Sequence, residues 1–148
     1  MVIRMKEKAK AKVEKHKLTK TYDKKTFKSL HAKCWKLISL IVRKDGADKN
    51  GFNQCYTCGQ KIKWQELQAG HYWHSKLDFD RRNLRPQCPM CNTYFSGRLA
   101  VYGTRLLRDN GEEWVHKLAH DAHTTIYKTA DLIKLLPLLE EEAKKLDN

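Results

Sequence analysis

The sequence predicts an α+β fold, a small β unit stitched by a metal with helices before and after it. Three observations carry the prediction. Apolar residues recur at helical spacing from Phe27 to Ile41 and again from Leu99 onward. Residues 46–96 hold four cysteines as two CxxC pairs among turn residues and aromatics. Segments such as Lys61 to Trp64 and Leu67 to Tyr72 are too brief for helices. The expected organisation is a basic arm over 1–25 and one domain over 26–148, with a helix at 26–45, a zinc-bound core at 46–110 and C-terminal helices at 111–148.

A chain of 148 residues fits one domain with helical appendages. No stretch approaches the roughly 20 apolar residues of a membrane span, and the start alternates charge with small residues, so a soluble, cytoplasmic protein without a membrane partner is expected. The net charge of +13 favours a polyanion, because each Lys or Arg that neutralises a phosphate releases counterions. Nucleic acid leads. Residues 1–36 carry +10 of that charge, and the first 20, rich in Ala, Lys and Glu with few apolar anchors, read as a partly ordered basic arm.

Taking the elements in order, Phe27, Leu30, Cys34, Leu37, Ile38 and Ile41 form the apolar stripe of an amphipathic helix that ends near Asp45-Gly46. Cys34 lies on the stripe and reads as a buried thiol outside any chemistry. The core then contributes one ββ unit. After Gly97, Leu99, Tyr102, Leu106 and Leu107 mark a helix that stops at Asn110-Gly111. Two more follow, from Glu112 to His120 and from about Ala130 to Leu146, with Thr129 as N-cap and Pro137 as a kink or break. Leu132, Ile133, Leu135, Leu136, Leu138 and Leu139 exceed one stripe, so this helix is expected to pack on the domain and on a second copy, giving a homodimer. His116, His120 and His123 read as an exposed helix face rather than a metal site.

Cys55-Tyr-Thr-Cys58 and Cys88-Pro-Met-Cys91 are the strongest signal. In a CxxC turn both thiolates point to one side, and two turns build the tetrahedral cage of a structural zinc. Disulfide or redox use would need one pair only. A four-cysteine site is coordinatively full, so this zinc holds the fold and frames the segment between the pairs.

Within the frame lie Gln68-Ala69-Gly70-His71-Tyr72 and Asp80-Arg81-Arg82-Asn83-Leu84-Arg85, with Asn92 directly after Cys91. A histidine that can take a proton from water, an amide oxygen for a hard cation and arginines for flanking phosphates are the parts of a phosphodiester hydrolase. Arg81, Arg82, Arg85, Arg98 and Lys76 are the candidate DNA contacts. Trp64, Tyr72, Trp73, Tyr94 and Phe95 read mainly as core, with base stacking as the alternative.

The order CxxC, AGHY, FDRRN, QCxxCN and the following SG, Cys55 to Gly97, resembles the phage NinG (Rap) recombination endonucleases, and more weakly so does most of the chain. Asn directly after the fourth cysteine is also similar to the phage Holliday-junction resolvase endonuclease VII. The resemblance implies an HNH-type ββα-metal core flanked by helices, and a metal-dependent endonuclease acting on recombination intermediates such as a Holliday junction, D-loop or flap, in a bacterial host and without a small-molecule substrate. It assigns His71 as general base, Asn92 as ligand of a catalytic Mg²⁺ or Mn²⁺, Asn83 as the asparagine that braces the loop, and the four paired cysteines as zinc ligands. The sequence departs from the pattern at one place. HNH nucleases usually set an Asp or His before the base, where this chain has Gly70; NinG proteins resemble it there but tend to carry an acid three residues before the base, where this chain has Gln68. Residues 68 and 70 share a strand face, so Gln68 is the expected stand-in ligand, with Glu66, His74, Asp78 and Asp80 as other sources. The alternative function is a zinc-stabilised DNA-binding protein with a degenerate nuclease centre.

Overall fold

The computed structural model describes residues 23–147, so the expected arm lies almost wholly outside the described residues. Helix α1 spans Lys24–Lys44; the Asp23 side chain accepts a hydrogen bond from the Thr26 amide at 2.7 Å, and Arg43 and Lys44 sit in the last turn, where the helix dipole favours cations. Asp45 turns extended and Gly46 takes a φ of +80°, which closes the helix.

Four short strands follow. Strand β1 (Phe52–Gln54) pairs antiparallel with β2 (Lys61–Lys63), and β3 (Gln68–His71) pairs antiparallel with β4 (Leu84–Gln87). The expected single ββ unit is thus two separate two-stranded sheets. The reason is physical: β1 is three residues of mixed polarity, and β4 carries Pro86, opposite Ala69, so neither shows a strand signature on its own. A 3₁₀ turn (Trp64–Glu66) joins β2 to β3, a second (Arg81–Asn83) leads into β4, and a π-type turn (Met90–Tyr94) follows the second cysteine pair.

Helices α2 (Leu99–Asn110) and α3 (Glu112–Thr124) share Gly111, whose φ of +87° ends one and starts the other. Helix α4 (Thr129–Lys145) begins one residue earlier than the sequence suggests: Lys128 is the N-cap, and its amide donates to Asp131 at 2.8 Å. The helix also continues across Pro137 instead of breaking. Pro137 and Ile133 are both exposed, so the carbonyl that loses its helical partner can bond water.

The largest core cluster joins Cys34, Ile38, Ile41 and Val42 of α1 to Leu132, Leu139 and Ala143 of α4, and takes in Ala69, Phe79 and Leu84. Fully burying side chains such as Ile38, Ile41 and Leu132 contributes about 1.5–3 kcal/mol each. This layer pins one face of the β3–β4 hairpin. A second cluster sets Leu77 among Tyr102, Leu106, Leu118 and Ala122, and a third surrounds the cysteines with Leu67. Of the apolar excess on α4, Ile133 and Leu138 stay exposed. Among the described residues, no helix is long and apolar enough to cross a membrane.

Candidate functional site

The four paired cysteines converge. Their sulfurs lie within 4.8 Å of one another, and Cys58 Sγ stands 3.8 Å from Cys88 Sγ. Sulfurs about 2.3 Å from a central zinc on a tetrahedron stand about 3.8 Å apart, so the cage has the size of a zinc site. Each pair is shaped by its own turn: the Gly59 amide donates to Cys55 O at 2.9 Å with Gly59 at φ +80°, and the Asn92 amide donates to Cys88 O at 2.9 Å. Burial opposes ionisation of Cys55, but hydrogen bonds from Thr57 and nearby backbone amides outweigh it and bring the thiol down to about 6. Burial and then the neighbouring thiols push Cys58 up to about 12. Among the described residues these are the one group of three or more His, Cys, Asp or Glu side chains close enough for a common ion.

Strand β3 separates two environments, because successive side chains point to opposite faces. Ala69 and His71 face the α1–α4 layer. The His71 ring stacks on Trp35 of α1, centroids 4.8 Å apart and planes 12° from parallel. Its Nε2 is buried without a well-angled hydrogen bond, and Asp78 Oδ1 lies 3.2 Å from it. The other Asp78 oxygen sits 2.9 Å from His31 Nε2. The approach of His71, and then of His31, holds the Asp78 carboxyl below the usual carboxylate range.

Gln68 and Gly70 lie on the other face. Gln68 Oε1 accepts from Asn92 Nδ2 at 2.8 Å and from Thr93 Oγ1 at 2.9 Å, tying β3 to the π-type turn after the cage. A Cβ on Gly70 would meet Gln87 Oε1 at 1.9 Å. Gln87 is fully buried, and its amide donates to Thr57 Oγ1 at 3.0 Å and Gly97 O at 2.9 Å. So Gly70 is required by close approach, and the place of an acid before His71 is filled by Gln87 from β4.

Asn83 is fully buried between these parts. Its Oδ1 accepts from the Trp73 amide at 2.7 Å, and its Nδ2 donates to Trp73 O at 3.1 Å and Lys76 O at 2.8 Å, clasping the loop at residues 72–80. Tyr102 of α2, also buried, donates its hydroxyl to Gly70 O at 3.0 Å.

The structure therefore joins Gln68 to Asn92 and sets His71 with Asp78, but puts the two groups on opposite faces of β3. Of the other expected ligand sources, Asp80 pairs with Arg82, Asp78 faces the two histidines, Glu66 is exposed at the end of its turn, and His74 lies against Gly97. The expected DNA contacts fare unequally. Arg81 is paired with Asp45 and with Glu142, Arg82 with Asp80 and Asp121, and Arg85 donates to backbone carbonyls while lying over Tyr56. Lys76 is exposed, and Arg98 lies over Phe95. Trp64, Tyr72 and Trp73 are partly buried, but Tyr94 and Phe95 are exposed, against the core reading of those two. His116 and His120 are exposed on α3. Sequence reading missed His31 and Trp35, although their four-residue spacing on α1 puts both on one face, and it missed Gln87 and the Tyr102 hydroxyl, which have no local signature.

A family profile described as Bacteriophage Lambda NinG protein matches residues 2–148. Protein ninG of Escherichia phage 933W is 34% identical over 86 residues, 54% of this chain and 42% of that protein. Protein ninG of Escherichia phage lambda is 33% identical over 86 residues with the same shares, and that of Salmonella phage P22 is 35% identical over 71 residues, 45% and 34%. The matched stretch spans less than half the length of these relatives. No solved structure gives a significant match.

Proposed function

The chain belongs to the phage NinG family, and from that premise we propose that it is a metal-dependent DNA endonuclease of the HNH, or ββα-metal, kind that cuts branched DNA. The observation that carries the reading is the contact of His71 with Asp78, 3.2 Å apart, on a strand anchored to the four-cysteine cage. A histidine held from behind by a carboxylate is oriented to take a proton. The cage takes zinc as a structural ion, which fixes β3 and the turn carrying Asn92 relative to each other.

His71 Nδ1 accepts a proton from water, whose oxygen attacks phosphorus in line; the bond to the 3′ oxygen breaks and that oxygen leaves with a solvent proton. The products carry 5′-phosphate and 3′-hydroxyl ends. Asn92 Oδ1 would hold a hard cation, Mg²⁺ or Mn²⁺, and Gln68 Oε1 would join it only by giving up the hydrogen bonds it accepts from Asn92 and Thr93. Bound there, the cation supplies charge stabilisation at the phosphate and the departing oxygen. With no carboxylate in the pair, cation binding depends on the DNA phosphate. For both groups to act on one phosphate, it would have to meet the base at one face of β3 and the amides at the other. Asn83 acts by bracing the loop, and Lys76 and Arg98 meet flanking phosphates.

One finding favours a second reading. Gln87 fills the place of the usual acid beside Gly70, and a neutral amide stands at 68, the pattern of a DNA-binding module with a degenerate centre. Cleavage of a synthetic four-way junction and a matched duplex by zinc-replete protein, in Mg²⁺, Mn²⁺ or EDTA, separates the two. Metal-dependent cutting that vanishes in His71→Ala supports the endonuclease; salt-dependent binding without cutting in any metal supports the module.

A further inference from the structure

The π-type turn that carries Asn92 ends in an aromatic corner that the catalytic reading does not use. Tyr94 is 75% exposed and Phe95 51%, flanked by Met90 and Leu99, which are also exposed. The two rings stand 5.1 Å apart at 85°, and the Arg98 guanidinium carbon lies 5.4 Å over Phe95. The corner is held firmly. Ser96, Gly97 and Arg98 all take positive φ, at 49°, 86° and 47°, and hydrogen bonds from Phe95 N to Met90 O and from Gly97 N to Cys91 O, each 2.9 Å, close the loop onto the cage. Non-glycine residues keep such backbone angles only where the surroundings over-determine them, and such strain gathers at functional sites. Two large rings presented to solvent on a rigid turn are therefore a built surface.

Charge identifies what they meet. From residue 89 to residue 108 the sequence holds Arg98, Arg105 and Arg108 and no acidic residue; Arg108 is paired with Asp109, which leaves Arg98 and Arg105 on the segment carrying the corner to attract a polyanion. Among polyanions, one with exposed planar bases uses both the charge and the ring faces, since every base has a π-face and arginine itself stacks. A paired duplex hides those faces within its stack. We infer that Tyr94 and Phe95, with Arg98, form a stacking platform for an unpaired nucleobase at a DNA branch, beside the scissile phosphate. The inference rests on the DNA-directed reading above and adds how a branch is told from a duplex.

The test is equilibrium binding of the full chain, in EDTA so that nothing is cut, to a four-way junction, to a duplex with one bulged 2-aminopurine and to a plain duplex. Wild-type protein is expected to change the 2-aminopurine fluorescence on binding. The Tyr94→Ala/Phe95→Ala variant should lose that change and bind the junction and bulge about tenfold or more weakly, with plain-duplex affinity and salt slope unaltered. Phe95→Tyr should retain both signals. Both side chains are exposed, so zinc content should stay at wild-type level and report an intact cage. Equal loss on all three DNAs, or no loss on any, would overturn the platform while leaving DNA binding in place. Failure of the wild-type protein to bind any of them would overturn the DNA-directed reading as well.

Discussion

The two faces of β3 are built from different chemistry by different parts of the chain. Toward α1, His71 meets an indole and a carboxylate that itself meets His31, contributed by the helical layer and by the loop at residues 72–80. Toward the cysteine cage, Gln68, Gly70, Gln87 and Asn92 present neutral amides and a packed backbone. The face that carries His71 is charged and supported from a distance, whereas the face that carries Gln68 and Asn92 is neutral and locally determined. If the proposed endonuclease reading holds, preorganised charge is concentrated on the His71 side, and a cation on the other side would depend on what the DNA brings.

Removing the cage should collapse the neutral face first and most. Zinc chelation, or Cys91→Ala, is expected to unfold residues 46–96, because a structural zinc contributes about 10–16 kcal/mol where it has been measured and a whole domain is stable by only about 5–15 kcal/mol. Loss of amide protection in β3 and β4 on chelation checks this; a protected hairpin without zinc would contradict it.

On the charged face the largest effect belongs to the base. His71→Ala should lower cleavage by about 10²- to 10⁴-fold with zinc content and DNA affinity unchanged. Asp78→Asn should cost less, about 10- to 100-fold, the range for groups that orient a functional histidine. The same substitution has a pH signature. Because the Asp78 carboxyl is depressed in the folded protein, its stabilising contribution is full above the ordinary carboxylate range near pH 4 and is lost as pH falls through its lowered value. Acid unfolding profiles of wild type and Asp78→Asn should therefore converge at low pH and separate above about pH 4.

Smaller effects sharpen the neutral face. Gly70→Ala should destabilise by about 1–3 kcal/mol through overpacking against Gln87, and adding Gln87→Ala should recover part of that. Gln68→Asp places a carboxylate beside Asn92 and should lower the Mg²⁺ concentration needed for half-maximal cutting; an unchanged requirement would remove Gln68 from the cation site.

What could be read from the sequence follows the same division. The cage was legible because two CxxC pairs encode their geometry locally, and the helices because periodicity survives over three or more turns. Strands β1 and β4 were hidden by shortness, polarity and Pro86. His31 and Asp78, 47 residues apart, meet only because α1 packs over the hairpin, so no local pattern announces them. Arg81 and Arg82 looked like phosphate ligands because their partners, Asp45, Glu142 and Asp121, are distant in sequence. The exposed corner at Tyr94 and Phe95 reads as core from composition alone, since nothing in the sequence shows that the turn carries both rings outward.

The central claim is that both faces of β3 serve one reacting phosphate, and single-turnover cleavage of a four-way junction by His71→Ala, Asn92→Ala and the double variant tests it most directly. Residues acting as a unit are non-additive. The account predicts that each single substitution takes cleavage down to nearly the same background and that the double falls little further. Cleavage at wild-type rate by either single variant, or losses that simply multiply, would contradict it.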